Sequence, residues 1–179
     1  MRVIGGKYRS RVLVPFEGKD VRPTADRAKE ALFNILALKI RGARVLDLFA
    51  GSGALGIECL SRDAEKVVFN DVAKESVAII KKNLAGLKMP SDAYTVCNYD
   101  FATCLEVQKE GFDLIFIDPP YRLEIGVQAV KKIAERGLLN ADGTLVFERD
   151  RSFDGEVEGL EKYDERKYGK AYLTFFRKV

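Results

Sequence analysis

From residue 43 onward the chain alternates two apolar patterns. Compact runs at 44–48, 66–70, 93–97, 113–117 and 143–148 have the length and β-branched content of buried strands. Between them, 54–62, 73–86, 101–108 and 125–136 carry helical spacing. This order predicts an α/β fold: a mostly parallel sheet with helices on both faces. The end differs. Segments 160–168 and 171–177 read as two strands joined across Gly169-Lys170, completing a seven-stranded sheet with an antiparallel hairpin. The acidic, glycine-containing stretch 149–159 reads as an exposed loop.

The start has its own character. Residues 2–5 and 11–14 are β-prone runs around a basic loop, so a small hairpin is expected. Pro15 to Arg22 connects. Pro23-Thr24 then opens a helix to about Lys39, with Ala28, Ala31, Leu32, Ile35, Leu36 and Leu38 as its apolar stripe. The expected division is an extension over 1–40 and a main domain over 41–179.

Charge sharpens that division. The 179 residues carry a net charge of +3. Residues 1–30 alone hold eight Lys/Arg and four acids, so the positive excess sits at the N-terminus. Such asymmetry suits a polyanion such as nucleic acid, although a solvated basic surface explains it equally well. The chain has no histidine, which excludes Ser-His-Asp and Cys-His catalysis. Its three cysteines, Cys59, Cys97 and Cys104, form no Cys-x-x-Cys pair. They read as small buried apolar residues, with no metal site expected. The composition suits a cytoplasmic protein, with neither a bilayer-spanning stretch nor a secretory leader expected.

Two motifs carry chemistry. The first, Asp47-Leu48-Phe49-Ala50-Gly51-Ser52-Gly53, follows a strand and opens a helix. Gly51, Gly53 and Gly56 match Gly-x-Gly-x-x-Gly, with Asp71 twenty residues beyond Gly51. By spacing this could hold a dinucleotide. Against NAD, Asp47 would repel a pyrophosphate approaching the helix N-terminus and attract an ammonium group instead. Acids also end or follow the third and fourth strands, Asp100 and Asp118. Four acids at one sheet edge suit a cationic nucleoside, and S-adenosylmethionine fits.

The second motif is Asp118-Pro119-Pro120-Tyr121. The prolines forbid both helix and a continuing central strand. The strand therefore ends in a carboxylate, free carbonyls and an aromatic ring at the edge where open α/β sheets bind ligands. That suits a flat base with an exocyclic amine; an ordinary strand-to-loop turn is the bland alternative.

Together these motifs resemble those of class I S-adenosylmethionine-dependent methyltransferases. Arg2-Val3-Ile4-Gly5-Gly6, the Arg22-Pro23-Thr24-x-Asp26-Arg27 segment and Tyr168-Gly169-Lys170-Ala171-Tyr172-Leu173 are similar to the RsmD family of bacterial 16S ribosomal RNA (guanine-N2)-methyltransferases. Lys29 departs from the family's usual arginine. The resemblance implies a Rossmann-like methyltransferase fold and methyl transfer to the N2 amine of a guanine of the position 966 type. The substrate would be 16S rRNA or a small ribosomal subunit particle, and the enzyme a monomer. It assigns Asp118, Pro119, Pro120 and Tyr121 to the target base. Asp47, Phe49, Ala50, Gly51, Ser52, Gly53, Asp71, Val72, Asp100 and Phe101 would hold S-adenosylmethionine. Arg2, Lys7, Arg9, Arg11, Arg22, Thr24 and Arg27 would hold RNA. The rivals are an adenine-N6 methyltransferase acting on DNA or RNA, an NAD-dependent oxidoreductase and a non-catalytic RNA-binding module.

Overall fold

The structure, a computed structural model, describes residues 1–16, 23–120 and 124–179, except the side chains of 23–25. Arg22 and Tyr121 therefore lie outside the described residues.

The alternation resolves into a single sheet. The strands are β1 (Arg44–Asp47), β2 (Lys66–Asn70), β3 (Tyr94–Cys97), β4 (Phe112–Ile117), β5 (Leu139–Arg149), β6 (Leu160–Tyr168) and β7 (Ala171–Lys178). Their spatial order is β3-β2-β1-β4-β5-β7-β6. Pairing is parallel from β3 through β5, while β7 runs antiparallel to both β5 and β6. The parallel strands are apolar because both faces are covered. Helices α1 (Pro23–Ile35), α2 (Ala54–Ser61) and α3 (Lys74–Gly86) contribute to one core layer with Phe33, Leu36, Ile57, Phe69, Ile80 and Phe116. Helices α4 (Phe101–Val107) and α5 (Ile125–Glu135) contribute to the other with Leu46, Leu105, Ile115, Ile133 and Phe147.

Four expectations change. Helix α1 ends at Ile35, and a tighter 3₁₀ turn follows over Ala37–Lys39. That turn breaks the helical stripe: Leu38 is 99% exposed, and Phe33 is buried instead. Strand β5 starts at Leu139, four residues early, because Leu139 pairs with Phe112 before a register shift resets the ladder at Thr144. The 149–159 loop is only partly exposed: Phe153 and Val157 insert into the core.

The N-terminal hairpin shrinks to one antiparallel bridge, Arg2 with Val12, around a 3₁₀ turn at Gly6–Tyr8. Val3 N, Ser10 N and Leu13 N donate across it to Arg11 O, Val3 O and Met1 O, and other backbone groups turn to the helices. The Glu58 carboxylate accepts from Ile4 N (2.8 Å) and Gly5 N (2.7 Å). Ser61 Oγ accepts from Tyr8 N and donates to Gly5 O. Asn83 accepts from Val14 N and donates to Val14 O. Side chains of α2 and α3 thus supplement the short bridge and satisfy groups that would otherwise be orphaned. Val3 and Leu13 complete the docking in the α1–α3 core.

Candidate active site

The strand order places a topological switch point between β1 and β4, where open α/β sheets bind ligands. The four acids named from sequence stand at the carboxyl ends of β3, β2, β1 and β4, in the spatial order Asp100, Asp71, Asp47, Asp118. Each has a different surrounding.

Asp47 is almost fully buried, and its Oδ2 accepts from Gly56 N at 3.0 Å. A carboxylate therefore already sits against the first turn of α2, so that helix start cannot receive a pyrophosphate as in dinucleotide sites. Gly53, with φ +80°, makes the turn into α2. A Cβ on Gly56 would lie 2.3 Å from the Phe69 ring, so the last glycine serves close helix–strand packing. Two of the three glycines thus explain themselves through the loop and its helix.

Asp71 anchors the loop. Its Oδ2 accepts from Gly51 N (2.8 Å) and its Oδ1 from Ala73 N (2.9 Å). A carboxylate offers about four lone-pair sites, so it keeps acceptor capacity for a ligand. Ala50 N donates to Asn70 O in the same turn. Val72, next in the chain, is an apolar side chain left 70% exposed. Phe49 and Phe101, both half-buried, have ring centroids 6.1 Å apart. Asp100 caps α4, accepting from Thr103 N (3.0 Å) and Thr103 Oγ1 (2.6 Å). Those bonds, the hydroxyl's first, hold its carboxyl below the usual range. The crevice thus offers uncovered apolar surface beside acceptors, which fits an aromatic nucleoside with hydroxyl or amine donors. Ser52 is turned away: its Oγ meets Met1 Sδ at 3.5 Å, and its carbonyl accepts from Asn83.

Asp118 is half-buried, Pro119 buried and Pro120 exposed, directly after β4. The neighbouring strands meet close by, with Asp47 paired to Phe116 and Ile117 to Phe147. The acid of the second motif and the loop of the first therefore share one sheet edge.

Among the proposed RNA contacts, Arg2, Lys7, Arg9, Arg11 and Arg27 are exposed. Lys7 pairs with Asp63 at 2.5 Å. Thr24 falls in the first turn of α1, its side chain outside the described residues. Lys29 belongs to the interior: its Nζ lies 3.2 Å from Glu58 Oε2, and both are buried. Cys59 and Cys104 are buried as expected, and Cys97 is half-buried. Burial first, then the nearby Cys97, pushes the Cys104 thiol up to about 12.

Three organising residues escape a reading of the sequence alone. Asn70, buried at the end of β2, donates to Leu48 O and Tyr99 O and accepts from Tyr99 N. It ties together the chain leaving β1, β2 and β3. Asn83 joins the glycine loop to the N-terminal segment. Glu58 gathers the segment's amides and two cations, Lys29 and Arg62. One signal was available: Glu58 is the lone acid among the apolar positions of α2.

Comparison with known proteins agrees along the whole length. The family described as "Conserved hypothetical protein 95" matches residues 1–177. The Haemophilus influenzae ribosomal RNA small subunit methyltransferase D is 37% identical over 153 residues, 84% of this chain and 79% of that protein. Its Escherichia coli namesake is 37% identical over 147 residues, 82% of this chain and 73% of that protein. The solved structure of Escherichia coli yhhF superposes with a TM-score of 0.87 at 30% identity, covering 99% of this chain and 97% of that one. With that coverage, and with the motifs seated in one crevice, the chain belongs to the conserved hypothetical protein 95 family, the RsmD methyltransferase family that its sequence resembles.

Proposed function

We propose that the protein methylates the exocyclic N2 amine of a guanine in small-subunit ribosomal RNA, using S-adenosylmethionine. The observation that carries the reading is the shared sheet edge: Asp118-Pro119 ends β4 beside the glycine loop that Asp71 holds. Relatives that are ribosomal RNA small subunit methyltransferases support the substrate class.

S-adenosylmethionine, when bound, supplies an electrophilic methyl group on a sulfonium. The chain's residues would do the rest. Asp71 would take ribose hydroxyls while keeping the loop closed. Val72, Phe49 and Phe101 would cover the adenine, and Asp100 would accept from its amine. Asp47, with Phe49 to Gly53, would present negative charge and backbone to the amino-acid end. The guanine amine is a poor nucleophile because its lone pair is delocalised into the ring. Hydrogen bonds from its N–H groups to Asp118 and the Pro119 carbonyl would turn that lone pair outward. Pro120 would stiffen the turn, and Tyr121 would stack on the base. This is catalysis by positioning and charge placement, and it needs no histidine. Residues 1–40 would act as an RNA-contacting extension of the catalytic domain, 41–179. Its exposed Arg2, Lys7, Arg9, Arg11 and Arg27, together with Arg22 and Thr24, would hold phosphates and set register, leaving base choice to the crevice.

The test combines labelled S-adenosylmethionine with undermethylated small-subunit particles, followed by nucleoside analysis. Wild-type protein should give N2-methylguanine. Asp118→Ala should lower the rate about 10²–10³-fold, with calorimetric cofactor binding retained. N6-methyladenine as the product, or label in DNA alone, would overturn the guanine assignment.

A further inference from the structure

The terminal hairpin extends the same sheet edge on the far side of Asp118. Register fixes what stands there. Arg149, the last residue of β5, pairs with Tyr172, and Tyr172 pairs with Lys167. Directly paired residues share a face, so Arg149, Tyr172 and Lys167 form one row across three strands. Two strand spacings make the row roughly 10 Å long. At its inner end Arg149 and Pro119 line one small cleft with Phe147.

The cations of this row are held without being neutralised. The Arg149 guanidinium lies over the Phe147 and Phe153 rings, 5.3 and 5.5 Å from their centroids. Lys167 Nζ lies 5.1 Å from the Tyr172 ring centroid. Ring contacts orient a cation but leave its charge uncompensated. The surrounding cations contrast with these. Arg151 pairs with Glu124, Arg166 with Asp164, and Lys162 with Glu165. Among the described residues, no carboxylate is paired with Arg149, Lys167 or the exposed Lys170 at the hairpin tip. Glu124, Glu148 and Asp150 also line the cleft at Arg149, where Glu124 is taken by Arg151.

We infer that Arg149, Tyr172 and Lys167 form a second RNA-binding surface, which carries the sugar–phosphate backbone beside the target nucleotide. It rests on the methyltransferase reading, because it takes Asp118-Pro119 as the point where the base enters. The ligand is a single RNA strand: uncompensated cations beside aromatic rings track such backbones, and the row begins at the catalytic turn.

The experiment measures binding of a fluorescein-labelled single-stranded RNA dodecamer across a salt series, and methylation of undermethylated particles. Lys167→Ala should lower the slope of log K against log salt by about 0.7, the value for one phosphate of a single strand that is no longer neutralised. Lys167→Ala with Arg149→Gln should lower it by about 1.4 and raise KM for the particle. Cofactor affinity should not change. Tyr172→Phe should keep the wild-type slope because the ring is retained. If wild-type protein methylates RNA while the double variant keeps both slope and KM, this surface is refuted and the catalytic reading stands. If wild-type protein transfers no methyl to RNA, the parent reading fails first.

Discussion

The N-terminal segment and the C-terminal hairpin are both basic, but they are attached in opposite ways. The hairpin is held by backbone ladders, β5 to β7 and β7 to β6. A ladder uses main-chain groups and leaves side chains on both faces to meet a ligand. The segment makes one bridge and hangs on buried side chains: Glu58, Ser61 and Asn83. There, side chains supplement the short bridge. A lysine in each region shows the consequence. Lys29 is buried against Glu58 and donates to Arg2 O, whereas Lys167 stands exposed over a ring. Basic composition therefore has two meanings in one chain, and only the mode of attachment separates them.

The largest effect should come from Glu58. Glu58→Ala leaves Lys29 buried without its carboxylate and orphans the amides of Ile4 and Gly5. Breaking one side of such a buried pair costs about 3–5 kcal/mol. Urea unfolding should show that loss, and hydrogen exchange should rise first over residues 2–14. A change under about 1 kcal/mol would mean that Ser61, Asn83, Val3 and Leu13 hold the segment without Glu58, and the comparison would lose its main anchor.

Asn83→Ala should cost about 2–3 kcal/mol, because it removes three hydrogen bonds and leaves Val14 N and Ser52 O without their partner. Since Asn83 also holds the glycine loop, this variant should weaken S-adenosylmethionine binding as well, measured by calorimetry. Equal affinity in the variant would confine Asn83 to the N-terminal segment and sharpen the contrast with the hairpin.

These two residues also mark what the sequence did not reveal. Strand β2 falls at its expected boundaries because a strand covered on both faces reads as a continuous apolar run, and β6 does so because the Gly169-Lys170 turn marks its end. The acids at the strand ends were legible because topology alone carries them to one edge. The partners of the N-terminal segment were not. Glu58 lies 54 residues from Ile4 and Asn83 lies 69 from Val14, and no local pattern encodes a contact across such a distance. The Arg149–Tyr172–Lys167 row was hidden similarly, since it needs the β5–β7 register, which hairpin composition does not specify. Helix α1 was overextended because its apolar spacing continues to Leu38 after the backbone has tightened.

The smallest effect tests the hairpin's own interior acid. The Glu165 carboxylate accepts from Ser152 Oγ (2.6 Å), Phe153 N (3.0 Å) and Thr174 Oγ1 (2.7 Å), with Lys162 Nζ at 3.5 Å. Burial alone would raise its pKa; these donors and the Lys162 charge outweigh burial and hold it at about 2, against an ordinary 4.5. The folded value lies below the unfolded one, so the ionised form stabilises the fold. That stability is complete above the unfolded value and is lost as pH falls from about 4.5 through about 2. Its size is on the order of 1–3 kcal/mol, reduced toward the lower figure by solvent screening. Exposed carboxylates titrate over the same range, so the comparison must be with Glu165→Gln. Urea unfolding of both proteins from neutral pH to about pH 2 should show a gap that closes on the acid side. Parallel curves would mean that the backbone ladder alone holds the hairpin and that Phe153, which supports Arg149, is seated by apolar packing without help from Glu165.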